Sequence, residues 1–420
     1  MVSDETLRRV LPAGAVALLG DMIRALIWGL VFVIWVAFAQ VYLRMIRLTI
    51  AEPSHSDFTI FYYTSRMVAD GLPMYGLSPA RYGVTWAADH LGNLNPPHVQ
   101  LLLMPLAHLS YRTALFTFVA VNAACLAWSL WLIARELQVG WSWRRFFGYG
   151  ALTLSSAAFT TVAVTCELSF VLMVPLTFAW CAWRRGGWTA AGAWLGLCAS
   201  AKLFLLLFLP LLLWQRHWRA AAAFVGAGAV LVAVGAAIFG PHAYVQWTAT
   251  LGRVGWWWIP MNASWHGIVT RVLQGSTTIA PLADAPALVA PVASVGAAIL
   301  VLVSLAAARR NDHDTTARND AFLITLLGAI LASPLGWVYY LPLAYGPLVG
   351  WLRGHRWSQL APAASAALAL GLACLYVPQE VANWRTHDVV ATVTLTSVYF
   401  WGTSLVWIVV RQRLVNADER

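Results

Sequence analysis

Asp57 is the residue best placed to do chemistry. It lies in His55-Ser56-Asp57-Phe58-Thr59-Ile60-Phe61-Tyr62-Tyr63, directly after the first long apolar run, in a chain with only 17 acidic residues among 420. A carboxylate beside an apolar wall tends towards a raised pKa, and at the mouth of a membrane helix it can take a proton from a hydroxyl arriving along the bilayer surface. Its competing role is to cap a helix running from Phe58 to Ala69, a role that Ser54 and Ser56 share. The two roles are compatible.

Lys202 is the second loaded position, because it is the only lysine and every other basic side chain apart from histidine is an arginine. It interrupts the apolar run from Leu195 to Leu213, where an ammonium must meet an anion or snorkel to an interface. A phosphate is the functional partner, and a salt bridge to Glu167 in the turn Cys166-Glu167-Leu168-Ser169 is the alternative. Trp256-Trp257-Trp258 with Asn262, Ser264, Trp265 and His266 reads either as an interfacial aromatic belt or as a sugar site, since a sugar stacks its CH face on rings and needs donors and acceptors for its hydroxyls. Asn95-Pro96-Pro97, followed by His98, fixes the chain at the membrane surface, where Asn95 can hydrogen-bond a polar headgroup. Among the arginines on a side that should hold few (Arg66, Arg81, Arg253, Arg271, Arg385), Arg66 and Arg253 are assigned with Lys202 to a phosphate ligand.

The elements that position these residues must be membrane helices. With 60% hydrophobic and 10% charged residues and a mean hydropathy of +0.68, lipid is the solvent and no soluble domain is left over. Apolar runs of roughly 20 residues, enough for a hydrocarbon core of about 30 Å, recur from end to end. Spans near 22–47, 112–134, 146–164, 168–183, 188–200, 203–215, 218–239, 286–308, 321–333, 337–352, 358–377 and 392–410 give about twelve crossings of one domain, 1–420, with the 188–200 and 203–215 pair short or kinked. Both termini then face the cytoplasm, and the inner loops carry Arg8, Arg9, Arg135, Arg144, Arg145, Arg184, Arg185, Arg216, Arg219, Arg309, Arg310, Arg318, Arg353, Arg356, Arg411 and Arg413, as the positive-inside rule requires. The net charge of +10 therefore reports orientation and not a nucleic-acid partner. The outer side receives the loop 51–110 with its interfacial helices, the Glu167 turn, the Lys202 bend, the aromatic loop 240–266 and the Ser333-Pro334 bend, which predicts a cavity open to the outer leaflet.

The first run, Met22 to Ile46, is too long for a signal-peptide core and is expected to stay as an anchor. Five cysteines lie in apolar stretches without CxxC spacing, which excludes a disulfide framework and a metal cluster of the usual kind. No DxD, HExxH, Walker loop, dinucleotide fingerprint or nucleophile elbow occurs, so soluble activated donors are not expected.

The ordered set Asp57-Phe58 with Tyr62-Tyr63, Gly71 with Met74-Tyr75, Asn95-Pro96-Pro97 with Pro105-Leu106, Cys166-Glu167-Leu168-Ser169, Ala191-Gly192 through Lys202, Asn262-Ala263-Ser264 and Ser333-Pro334-Leu335-Gly336-Trp337 resembles glycosyltransferase family 87. The resemblance spans most of the chain and implies the GT-C membrane fold: an all-α polytopic protein with amphipathic helices on its outer face. It implies inverting transfer of a hexose, mannose first, from a polyprenyl-phosphate sugar to a lipid or glycan hydroxyl in a bacterial inner (plasma) membrane, with the active site facing the periplasm or exterior. Asp57 matches the general base and Lys202 the basic residue near the donor phosphate. Tyr63, Asn95, His98, Glu167, Trp258, Asn262, His266, Trp337 and Tyr340 are assigned to the sugar and acceptor. No metal, cofactor, nucleic acid or protein partner is expected beyond these substrates and membrane lipids.

The chain departs from the family pattern at Asn95, where the family has Tyr, at Cys166-Glu167 in place of Gly-Gln, and at Val338-Tyr339-Tyr340, where histidines often follow the tryptophan. A histidine role in the phosphate site therefore does not carry over. The rival readings are transfer of arabinose from its polyprenyl phosphate, a polyprenyl-linked lipid flippase, which predicts internal repeats and paired ionisable residues within helices, and a non-catalytic lipid-binding subunit.

Overall fold

The computed structural model describes residues 13–51, 57–76, 82, 92–140, 142–309, 314–355, 359–382 and 388–418. Arg8, Arg9, Ser54, Ser56, Arg81, Arg310, Arg356 and Arg385, all used above, lie outside them. The protein is an all-α membrane protein; among the described residues, β pairing is confined to the isolated bridges Asn262 to Trp337 and Ser276 to Ile279.

Among the described residues, four helices are both long and apolar enough to cross a bilayer unaided: Tyr111–Glu136, Trp218–Phe239, Pro286–Ala308 and Val389–Val415. The 146–164 span is broken. Trp143–Ser155 and Ala157–Thr165 meet at 76°, because Ser156 between them is extended (φ −69°, ψ 143°) and Ala157 N–H donates to the Leu375 carbonyl at 3.0 Å. The 337–352 span is also divided, into a 3-10 segment Val338–Ala344 containing Pro342 and the helix Tyr345–Gly354. Ser169–Arg184, Leu203–Trp214 and Pro362–Cys374 are apolar but shorter. The twelve expected crossings are thus not all of full length.

Thr315–Ala332 sits at the centre, with fourteen of its residues buried from Ala317 to Leu331. The stretch from Ala321 onward is apolar apart from Thr325, as burial on all sides requires, and the buried Asn319 and Asp320 are met by Trp180 and His355. Ser169–Arg184 packs beside it, with the Trp183 ring edge-on to Phe208 and Phe322 at 5.9 and 5.7 Å. Trp188–Ala201 and Trp218–Phe239 touch backbone to backbone. A Cβ on Gly192 would lie 2.1 Å from the Ala220 carbonyl oxygen, and one on Gly196 would lie 2.0 Å from that of Phe224. This small-xxx-small seam fixes the two helices in parallel. Parallel alignment requires Leu203–Trp214 to return the chain across the bundle, which is why the short pair on either side of Lys202 exists.

The segments between the first helix and Tyr111–Glu136 form a platform. Asp57–Ala69, the helix Pro97–Leu103 and the 3-10 segment Met104–His108 gather Phe58, Phe61, Tyr62, Val99, Leu103 and Leu106 into a small core of their own, together with Leu115 and Phe118 of Tyr111–Glu136. Over Val99 to Leu109 the chain forms elements of only 7 and 5 residues, too short to span.

Candidate active site

A cavity of about 530 Å³ draws on Asp57, Asn95, Glu167, Lys202, Trp256, Trp257, His266, Trp337, Tyr339 and Tyr340, among others. These come from five separate loops and bends that the sequence reading had placed on one face.

Asp57 is the first residue of its helix. That helix is anchored by Tyr62, whose hydroxyl donates to the Leu109 carbonyl at 2.8 Å, and by Gln100, whose Nε2 donates to the Phe61 carbonyl at 3.2 Å. The carboxyl is half-buried and opens onto a wall that includes Ile60 and Phe61. Burial, then the negative charge of Glu167, raise its pKa from 3.8 to about 7, while Lys202 opposes the shift. Such a carboxyl can hold or release a proton near neutrality.

Glu167 is set by local backbone. Cys166 adopts the left-handed conformation at φ 52° and ends the preceding helix. The turn lets Glu167 Oε2 accept from the Ser169 N–H at 2.6 Å and from the Ser169 hydroxyl. Its other oxygen accepts from Lys202 Nζ at 3.0 Å. Lys202 is extended (φ −134°, ψ 99°) at the break between Trp188–Ala201 and the 3-10 segment Leu203–Leu207. Its ammonium also donates to Asn95 Oδ1 at 3.2 Å and lies 5.1 Å from the centre of the Tyr340 ring, a cation–π contact. Asn95 is oriented in turn: its backbone N–H and Nδ2 both donate to Asn93 Oδ1, at 3.0 and 3.3 Å. Asn93 Nδ2 donates to Gln100 Oε1 at 3.1 Å. This relay turns the Asn95 carbonyl, and not its NH₂, towards Lys202.

The opposite wall is aromatic. Trp256 stacks on Trp337 at 5.5 Å, and Trp337 stacks on Tyr339 at 5.7 Å. Trp257 packs on His266 at 4.7 Å, and burial lowers the His266 pKa, so the ring is neutral near pH 7. The wall is held from behind. Asn262 is fully buried and donates from Nδ2 to the Trp257 and Pro334 carbonyls at 3.1 and 2.9 Å. Its Oδ1 accepts from the N–H groups of Ser264 and Gly336 at 3.3 and 3.0 Å. The bend following Pro334 needs its glycine, because a Cβ on Gly336 would lie 2.2 Å from the Ile330 carbonyl oxygen.

The structure therefore joins Asp57, Asn95, Glu167, Lys202, His266, Trp337 and Tyr340, and places the other predicted residues elsewhere. Asn262 spends its amide on the loop staple and does not line the cavity. Tyr63 lies in a ladder with Tyr82 and Tyr111 at 5.3 and 6.0 Å. Arg66 donates to the Ala107 carbonyl at 2.8 Å, beside that ladder. Both sit on the face of the Asp57–Ala69 helix turned away from the cavity, as the helical period dictates when Asp57, Ile60 and Phe61 face in. His98 bonds Tyr244 and Ser200 at 3.0 and 3.1 Å, and burial pushes its pKa down to about 4, so it offers no cation. Arg253 is exposed, and neither it nor Trp258 is in the lining. Sequence reasoning missed Asn93, Gln100 and Tyr339. Tyr339 was legible as the neighbour of Tyr340, whereas the relay through Asn93 and Gln100 needs the folded platform.

The model of glycosyltransferase family 87 matches residues 93–334, more than half of the chain. The matched stretch carries Asn95, Glu167, Lys202 and His266, with Asp57 before it and Trp337, Tyr339 and Tyr340 after it. Neither the curated proteins nor the solved structures yield a match to the chain.

Proposed function

The chain belongs to glycosyltransferase family 87 and is a membrane glycosyltransferase, and on that basis we propose that it moves a hexose, mannose first, from a polyprenyl monophosphate to a lipid or glycan hydroxyl at the outer leaflet, with inversion. The observation that carries this reading is the single cavity that sets Asp57, with its pKa near 7, beside Lys202, across from a wall of stacked aromatics.

In this reading Asp57 accepts the proton of the acceptor hydroxyl as the oxygen attacks the anomeric carbon from the face opposite the phosphate. The bond from the anomeric carbon to the phosphate oxygen breaks, and polyprenyl phosphate leaves with one more negative charge. That charge develops at Lys202, where a fixed ammonium stabilises the transition state more than the ground state. The leaving phosphate is a good anion and needs little acid catalysis, which suits a cavity whose histidine is neutral. Trp256, Trp337 and Tyr339 offer rings for the sugar, and Asn95 remains near the phosphate as part of the Lys202 shell. Arg66 and Arg253 have no part. The reaction proceeds without a divalent metal, so EDTA leaves the rate unchanged.

The test is to give purified protein in detergent synthetic polyprenyl-phosphate mannose, polyprenyl-phosphate arabinose and a nucleotide sugar in parallel, with membrane lipids as acceptor. Label transferred from the mannose donor alone supports the reading. Label from the arabinose donor alone corrects the sugar, and label only from the nucleotide sugar overturns the lipid-phosphate donor.

A further inference from the structure

We infer that Arg271 is a positioning residue that holds the aromatic wall of the cavity in register. The inference rests on the transfer reading above for the meaning of that wall, though not for the contacts themselves.

Arg271 is fully buried, on the helix Trp265–Leu273 that begins beside the cavity. Its Nη1 donates to three carbonyl oxygens of one loop, those of Ile259, Asn262 and Trp258, at 3.1, 3.2 and 3.4 Å. Its Nε donates to the Ser397 hydroxyl at 3.0 Å, and that hydroxyl donates onward to the Thr392 carbonyl at 2.9 Å. Among the described residues none of its partners is a carboxylate, and Nη2 has no hydrogen-bond partner. A buried guanidinium is costly, and neutral carbonyls alone are a poor return for it. Its placement is therefore informative. The loop it grips runs from Trp256 to Asn262 and supplies Trp256, Trp257, Ile259 and Met261 to the cavity lining, while His266 lies on its own helix. Burial lowers the guanidinium pKa to about 9, which leaves it charged at neutral pH.

The planar fork explains why arginine is used. One guanidinium reaches the loop through Nη1 and Ser397 through Nε in fixed directions, so the loop is registered against the segment that opens the last long helix. A lysine brings a single centre and cannot meet both. Asn262, whose carbonyl Arg271 also holds, staples the same loop through its side chain to the bend at Pro334 and Gly336, so the loop is fixed to two separate segments of the fold.

The experiment compares wild type with Arg271→Lys and Ser397→Ala in two readouts. Hydrogen exchange of the amides in 256–263 is expected to accelerate in both variants, with exchange in Thr315–Ala332 unchanged. With the polyprenyl-phosphate donor that wild type uses, Arg271→Lys is expected to raise the donor KM about tenfold with kcat within about threefold, as loss of binding shared by ground and transition states predicts. A merely structural lesion lowers the folded fraction and the apparent kcat while leaving KM alone. Unchanged exchange in 256–263 together with an unchanged KM overturns the positioning role. If wild type transfers no sugar from any polyprenyl phosphate, the transfer reading fails, and the exchange measurement alone decides the clamp. Should Arg271→Lys not fold, Ser397→Ala carries both readouts.

Discussion

Lys202 Nζ donates to Glu167 Oε1 at 3.0 Å, so the only lysine of the chain is already paired with a carboxylate. The side chains are 13% and 3% exposed, which makes each indispensable to the other. In the proposed transfer an incoming phosphate joins a pair that is neutral overall, and the ammonium gains its full effect only when the leaving group acquires charge.

Removing one member of this pair strands the other. Lys202→Met is expected to destabilise the protein by about 3 kcal/mol, since a buried carboxylate loses its counter-ion. The double variant Lys202→Met with Glu167→Gln recovers most of that loss, because both desolvation penalties vanish together, while transfer stays abolished. Thermal unfolding in detergent alongside labelled transfer checks both halves. A double variant no more stable than the lysine single contradicts the pairing.

With Asp57 as the proposed base, the acid limb of the kcat/KM profile is expected to follow its titration. As a base it works when deprotonated, so the rate climbs as pH rises through about 7. Burial is the larger cause of the raised pKa and Glu167 the smaller. Glu167→Gln therefore moves the limb to lower pH without returning it to 3.8, the value of an unperturbed aspartate. A limb that stays in place in the variant argues that another group controls it.

The same shift has a stability consequence of fixed sign. Because the folded pKa lies above the unfolded one, the native state binds more protons between about pH 4 and pH 7, and stability declines as pH rises across that window. Asp57→Asn is free of this decline. At pH 8 it is expected to be more stable than wild type by about 1 kcal/mol, a value reduced from the full shift because the carboxyl keeps access to the cavity. Equal unfolding temperatures of the two proteins at pH 8, measured against pH 5, speak against a raised pKa.

Asn262 offers a contrast between a loop staple and a sugar ligand. Asn262→Ala leaves the Trp257 carbonyl and the N–H groups of Ser264 and Gly336 without their partner and the Pro334 carbonyl with the Ser264 hydroxyl alone, and is expected to cost about 2 kcal/mol or more. His266→Ala, on the cavity surface, is expected to change stability little while raising the donor KM. Unfolding temperatures that rank the two variants the other way reverse the assignment.

The membrane class and the convergence of Asp57 and Lys202 on one cavity were legible in the sequence because scarcity made them so: one lysine, few acids, and apolar runs broken by polar residues in alternate loops. Glu167 was legible as the salt-bridge partner through its turn alone. The parts that were not legible depend on direction. Tyr63 and Arg66 share a helix with Asp57 but face away from it by the 3.6-residue period, and Asn262 and His98 look like ligands until their hydrogen bonds are counted. The break at Ser156 and the 3-10 path after Trp337 were hidden inside runs that hydropathy reads as continuous. Arg271 was seen as an arginine on the wrong side of the membrane, and only its carbonyl partners reveal why it is there.

The most direct test of the account is transfer of labelled sugar by purified Asp57→Asn, assayed with the wild-type donor at pH 8 on protein shown by unfolding to be folded. The account predicts a loss of about a thousandfold or more in kcat, with donor KM little changed, because the amide keeps the shape of the carboxyl and removes only the base. Wild-type kcat in this variant would contradict it, and would place the proton acceptor elsewhere in the cavity.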